Sequence, residues 1–198
     1  GLRAEQASLT STLVTRDTVI ENAYFSLYPT VHLSYALGEE SELQLNYSRR
    51  TNRPDGGDLN PFPEYRDPKT VSAGNPKLLP EYINSVEVGA KAQWGMFSIV
   101  PSLYYRHTYN RFTWVTTVLP DSTFFSTFQN LEKDQSAGLE VVLSASTNDV
   151  FKAHASGNLF YNQIDASNLG YGTDKSIVSW RGAATCSVRP FEGTMLQI

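Results

Sequence analysis

The chain has 198 residues, 40% of them hydrophobic, a formal charge of −4 and a single cysteine. That length allows one domain or two small ones. The acidic balance without a basic run excludes a nucleic-acid binder. Cys186 alone excludes an internal disulfide and a cysteine-built zinc site. No run of 18 apolar residues predicts a transmembrane helix, which leaves membrane strands untouched because they hide apolarity at every second residue.

In chain order the apolar positions recur at two, hardly ever at three and four, which predicts strands. Gly1-Leu2-Arg3-Ala4-Glu5 reads as the middle of a strand, and a connection is expected over Thr15–Ala23. Phe25, Leu27, Pro29, Val31, Leu33, Tyr35 and Leu37 then share one face. After a short turn at Gly38–Ser41 comes the alternating run Glu42–Ser48. The stretch Asn52–Glu81 is rich in Pro, Gly, Asn and Asp and is expected to hold no regular structure. Val86, Val88, Ala90 and Trp94 alternate with Glu87, Gly89 and Lys91. A turn at Trp94-Gly95-Met96 leads to Phe97, Ile99, Leu103 and Tyr105, alternating with Ser98, Ser102, Tyr104 and Arg106. Past a tip at Leu119–Thr123, Leu139, Val141 and Leu143 alternate with Glu140 and Val142. A turn at Thr147–Asp149 precedes Phe151, Ala153, Ala155 and Leu159, alternating with Lys152, His154 and Asn158. A connection at Ile164–Lys175 precedes Trp180, Gly182, Ala184 and Cys186, alternating with Arg181, Thr185 and Arg189. After a turn at Phe191–Gly193, Thr194–Ile198 reads as the start of another strand.

The predicted fold is therefore all-β: an antiparallel up-and-down meander of about eight long strands. Runs of roughly 11 to 20 residues exceed the ~5–6 usual in soluble proteins and suit tilted strands crossing a hydrocarbon layer. Short and longer connections alternate without a break, as in an outer-membrane barrel with short periplasmic turns and long outer loops. Tyr35, Trp94, Phe97, Phe151 and Phe191 gather near the short turns, where an aromatic girdle belongs. Glu87, Lys91, Arg106, Glu140, Lys152, Arg181 and Arg189 fall on the polar face and are expected to face a wet lumen, since such groups are costly in a dry core.

Several blocks carry a family likeness. Asn52-Arg53-Pro54, Leu59-Asn60-Pro61-Phe62, Asp67-Pro68 and, most specifically, Gly74-Asn75-Pro76-Lys77-Leu78-Leu79-Pro80-Glu81 resemble a pattern in the barrels of TonB-dependent outer-membrane receptors of the Bacteroidetes type. Gln129-Asn130-Leu131-Glu132 followed by Ser136-Ala137-Gly138-Leu139-Glu140 resembles the family's approach to a strand. The likeness covers about the middle half of the chain. It implies a piece of a transmembrane barrel of about 22 strands. No plug, signal peptide or aromatic-ended barrel C-terminus is visible, so residues 1–198 are expected to form part of a barrel domain. The implied role is import of a scarce ligand, a metal chelate, vitamin, glycan or peptide, across the bacterial outer membrane. The implied partners are outer-membrane lipid, the plug, the remaining barrel strands, the TonB system acting through the plug, and the small-molecule or oligomeric ligand. Open strand edges would favour edge-to-edge self-association.

Neither enzymatic activity nor a cofactor is expected, because no nucleophile, phosphate-loop or dinucleotide pattern occurs. His32, His107 and His154 lie on different strands without ligand spacing. Asp55-Gly56-Gly57-Asp58 pairs two carboxylates, either as oxygen donors to a ligand or as acceptors within a glycine turn. Trp114, Phe124, Phe125 and Phe128 flank the Leu119–Thr123 tip, as an outer vestibule for ligand or as cross-strand packing. The competing reading is a soluble β-sandwich or jelly roll, a carbohydrate-binding module for example, or a small closed barrel of eight strands. A sandwich would bury one apolar face of every strand.

Overall fold

The computed structural model describes residues 1–13, 18–131, 133–147, 150–169, 175–191 and 193–198. Eight long strands form its main sheet: β1 (Leu2–Leu13), β2 (Thr18–Ala36), β3 (Ser41–Asn52), β6 (Glu81–Trp94), β7 (Phe97–Tyr109), β10 (Lys133–Thr147), β11 (Phe151–Asp165) and β12 (Lys175–Val188). A stub, β13 (Leu196–Gln197), pairs with β12. Each strand pairs antiparallel with the next in the order β1-β2-β3-β6-β7-β10-β11-β12-β13. The sheet is open, so among the described residues β1 and β13 have one neighbour each.

Register makes the two faces chemically distinct. Leu33, Leu45, Val88, Leu103, Leu139, Leu159 and Trp180 are successive partners across seven strands. Side chains alternate along a strand, so the whole row points the same way. The next row, toward the long connections, reads Val31, Tyr47, Val86, Tyr105, Ala137, Tyr161 and Val178, and the row beyond turns polar with Arg49, Asn84, His107, Gln135, Gln163 and Ser176. At the opposite end Trp94 pairs with Phe97, rings 6.3 Å apart, at a tight turn that Gly95 allows with φ 55°. Among the described residues nothing covers the apolar face: Leu103 is 60% and Trp180 80% exposed. Glu87, Lys91, Arg106, Glu140, Lys152 and Arg181 occupy the other face, as expected from period two. Arg189 stands outside the strand itself. It lies just past the end of β12, in the connection, where its N–H donates to the carbonyl of Val150.

The long connections depart from expectation. Residues 52–81 contain two short strands, β4 (Glu64–Asp67) and β5 (Thr70–Ala73). The third connection is not the tip at 119–123 but the whole excursion between β7 and β10, which holds β8 (Phe112–Val118) and β9 (Phe124–Asn130). These four build a second sheet in the order β4-β5-β9-β8, and β5 pairs with β9 in parallel. A parallel pair is free to form here because the two strands come from different connections, and no hairpin dictates their direction. The expected connection over Thr15–Ala23 is largely strand, since Thr18–Ala23 pairs back on β1. Part of it, residues 15–17, lies outside the described residues, as do Asn148 and Asp149 of one turn, Glu192 of another, Glu132 of the second family block, and residues 170–174 of the fourth connection. The expected connection over Ile164–Lys175 is shortened by β11, which runs to Asp165, and holds a 3-10 turn at Ser167–Leu169.

The buried apolar side chains lie at the loop end. Leu59, Val71, Leu78, Val115 and Leu131 come from the connections, and Tyr28 joins them from β2. A small core has formed there, although the larger sheet has none of its own.

Candidate functional site

The site is the block that the long connections build over one end of the main sheet. Its geometry begins with Gly74. A Cβ at this position would stand 2.5–2.6 Å from the Asp58 carbonyl, the Asn60 amide and the Gly57 carbonyl. Only a residue without a side chain lets the two backbones approach so closely. The approach is sealed by Gly74 N–H to the Asn60 carbonyl (2.7 Å) and Asn75 N–H to the Asp58 carbonyl (2.6 Å).

The rest of the Gly74–Glu81 block ties that loop to its neighbours. The Asn75 side-chain amide donates to the carbonyl of Phe128 in β9, and its oxygen accepts from the Lys77 N–H. Leu78 is 1% exposed. Asn130 exchanges two hydrogen bonds with the backbone of Leu79, 2.9 and 3.0 Å, and donates to the Asn110 carbonyl at 2.6 Å. Its own carbonyl accepts from the side chain of Asn168 in the fourth connection. Glu81 is buried, and its carboxylate accepts from the Phe112 N–H and the Asn52 side chain. Three connections are thus joined through Asn75, Asn130 and Glu81. Arg53 adds the β1–β2 hairpin, donating to Glu5 (2.7 Å) and to the Tyr28 hydroxyl (2.9 Å). Sequence inspection placed these residues in family blocks but assigned them no task. The one clue was their kind, Gly, Asn and Glu, the residues that make tight turns and side-chain-to-backbone bonds.

Gly138, in the second family block, has a similar explanation. The ring of Tyr104, its cross-strand partner, lies where a Cβ would be, within 2.5–2.8 Å. A glycine that weakens a strand is here covered by an aromatic ring.

The acidic pair is engaged within its own turn. Asp55 accepts from the N–H groups of Gly57 and Asp58, and Asp58 accepts from the N–H of Asp55. The four aromatic candidates do not share a face. Trp114 pairs with Phe128 and Val118 with Phe124, whereas Phe125 pairs with Thr117 and Val71, on the side where Val71 and Val115 are buried. Strand alternation therefore takes Phe125 out of the group. Trp114 and Phe128 lie with ring centroids 4.3 Å apart, tilted by 34°, and Phe112 meets Phe128 edge-on at 5.8 Å. Trp114 and Phe124 are each about half exposed, at 51% and 49%. The loop sheet is closed at its tips by Asp67, which accepts from the Lys69 N–H, and Asp121, which accepts from the Thr123 N–H. These bonds hold both carboxyl groups below their usual range.

His32 is bonded to Asn46, His154 faces Ser144, and His107 stacks on Tyr109 at 4.0 Å, so the three histidines are separate. Over the polar face of the main sheet, Glu87, Tyr104, Arg106, Glu140, Asn158 and Asn162 line a groove of ≈ 440 Å³.

Comparison with known proteins agrees with this architecture. Residues 1–196 match the model of the outer membrane protein beta-barrel family. No curated protein matches the chain. Among solved structures it is similar to the siderophore receptor PirA from Pseudomonas aeruginosa, with 12% identity and a TM-score of 0.60 over 90% of this chain and 39% of that one. It is also similar to the Serratia marcescens hemophore receptor HasR, seen with HasA and heme, with 16% identity and a TM-score of 0.68 over 97% and 37%. The copper transporter OprC gives 12% identity and a TM-score of 0.56 over 99% and 38%. At these identities the likeness is one of fold. The chain spans less than two fifths of each of these proteins.

Proposed function

Since the chain belongs to the outer membrane protein beta-barrel family, we propose that it is a wall segment of a receptor that imports a scarce ligand across the bacterial outer membrane. Its loop block would meet the ligand and its polar face would line the lumen. The observation that carries this is the division of the main sheet into an uncovered apolar face and a charged one, with a self-supporting loop block at one end only. From Phe151 to Tyr161 the apolar face of β11 rises about 33 Å along the strand. At a tilt of about 40° that is about 25 Å of height, the apolar band of an outer-membrane barrel. A soluble sandwich would bury this face, and here it is bare.

In this reading Glu87, Lys91, Arg106, Glu140, Lys152 and Arg181 face a plug domain, and the remaining strands of the barrel complete the wall. Energy reaches the plug from the TonB system, so the wall itself has no reaction to catalyse. The ligand classes of the similar receptors, siderophore, heme and copper, are those proteins' own. The test is uptake by cells making the intact protein, using ferric chelate, heme, copper and oligosaccharide as probes. One probe should accumulate, and removing TonB should abolish accumulation but leave surface binding. Uptake indifferent to TonB would mark a passive channel and overturn the proposal.

A further inference from the structure

The loop sheet has one face against the small core and one face open. Three rows cross the open face. In the middle row Glu64, Ser72, Ser126 and Thr116 are successive partners across β4, β5, β9 and β8. One flanking row pairs Phe128 with Trp114, and the other runs Asp67, Thr70, Phe124, Val118. Over β8 and β9 the hydroxyl track, which ends on an exposed carboxylate at β4, therefore lies between two apolar walls. Thr116 and Ser126 are hydrogen-bonded to each other at 2.8 Å, which holds the track in place. Trp114, Phe124 and Val118 are each half exposed or more. Phe128 and Phe124 stand four residues apart on β9, so the walls are about 13 Å apart.

We propose that this face binds a neutral oligosaccharide. The inference rests on the receptor reading above and names its ligand class. Hydroxyl side chains donate and accept, as sugar hydroxyls do, and the Glu64 carboxylate is a further acceptor. The electron-rich faces of Trp114 and Phe124 receive the C–H faces of pyranose rings. Charge excludes the main rival. Phosphates, carboxylates and anionic chelates are recognised by Arg and Lys forks. These three rows carry no cation, and Arg66, exposed at the β4 bulge between them, is flanked by the carboxylates of Glu64 and Asp67. Lys69, at the sheet's tip, is turned to the Asp121 carbonyl at 2.8 Å.

Binding to the intact protein in detergent is the test, read by calorimetry or tryptophan fluorescence. The probes are malto-, xylo-, laminari- and manno-oligosaccharides, with polygalacturonate, a ferric catecholate and spermidine for comparison. At least one neutral oligosaccharide should bind and quench Trp114. Trp114→Ala should weaken it about tenfold or more, a hot-spot loss, and Trp114→Phe by less. If Trp114→Ala does not fold, the pair Thr116→Ala and Ser126→Ala removes the track, leaves the rings, and should give a loss of the same kind. Binding of none of the neutral probes overturns the proposal, as does sugar binding that these variants leave unchanged. Preference for the polyanion, the chelate or spermidine, lost with Trp114→Ala, also overturns it. Such a failure leaves TonB-dependent uptake standing, whereas TonB-independent uptake leaves sugar binding standing, so the two readings fail separately.

Discussion

The two sheets of this chain solve the same problem with different solvents. The loop sheet turns Val71 and Val115 inward and shares a core with Leu59, Leu78 and Leu131. It is built like a small soluble protein, in which removing Leu or Val from water contributes roughly 1.5–3 kcal/mol per side chain. The main sheet leaves Leu103, Leu159 and Trp180 bare on one face and puts Glu87 and Glu140 on the other. That arrangement is stable only where lipid meets the first face and water the second. A substitution therefore has opposite consequences in the two regions, and this can be measured.

The largest contrast should come from truncation of leucines. Leu78→Ala opens a hole in the loop core and is expected to cost about 2–5 kcal/mol. Leu159→Ala on the bare face should cost far less, because lipid fills the space. Urea unfolding of the intact protein in lipid vesicles, with limited proteolysis of the loops, reads both. Equal losses would mean that the bare face packs on protein.

Charge should reverse the order. Leu139→Arg, in the middle of the apolar face, is expected to cost about 2–4 kcal/mol in a bilayer. Glu140→Arg, one residue away on the polar face, should leave assembly nearly unchanged. Assembly of both variants into the outer membrane, followed by fractionation, distinguishes them.

The comparison sharpens further at Asn130→Ala, which removes two hydrogen bonds joining two connections and a third within one of them. A loss of about 1–3 kcal/mol is expected, visible as faster hydrogen exchange at the Leu79 N–H with the main-sheet amides unaffected. Exchange that rises evenly along β6 and β10 would show that the block and the sheet open as one.

How much of this was legible in the sequence follows from the same division. Alternation revealed the faces of β6, β7, β10 and β11 because a two-solvent sheet writes its pattern into every residue. The block over 52–81 did not yield to that reading. Its strands are four residues long, and β4 carries an irregularity between Tyr65 and Asp67, so no period can develop. Gly74 and Asn130 looked like family marks because their partners, Asp58 and Leu79, are backbone groups that leave no pattern in sequence. Phe125 was grouped with Phe124 by proximity along the chain, yet in a strand proximity by one residue means opposite faces. The acidic turn admits both readings from its residues alone, and in the structure its carboxylates accept from their own backbone.

The smallest effect concerns acid. Asp67 and Asp121 are held below their usual range by backbone N–H groups of their own turns. A carboxyl whose folded pKa is depressed stabilises the fold above its unfolded pKa, and that contribution is lost as pH falls through the folded value. The loop sheet should therefore loosen slightly below about pH 4 while the main sheet, read by infrared amide bands, holds. Protease cutting at 119–123 that does not rise in acid would contradict this.

The parallel join of β5 to β9 also bears on the order in which the molecule is made. Every pair in the main sheet is a neighbour in the chain or is separated by one excursion, so it can zip as each strand arrives. β5 has such a neighbour on one side only, in β4. Its other partner, β9, is synthesised some fifty residues later, after β6 and β7, as the 53-residue separation of Asn75 and Phe128 illustrates. Contacts of that span are slow to close. The loop block therefore cannot close until the β6–β7 hairpin of the main sheet has been made between its two halves.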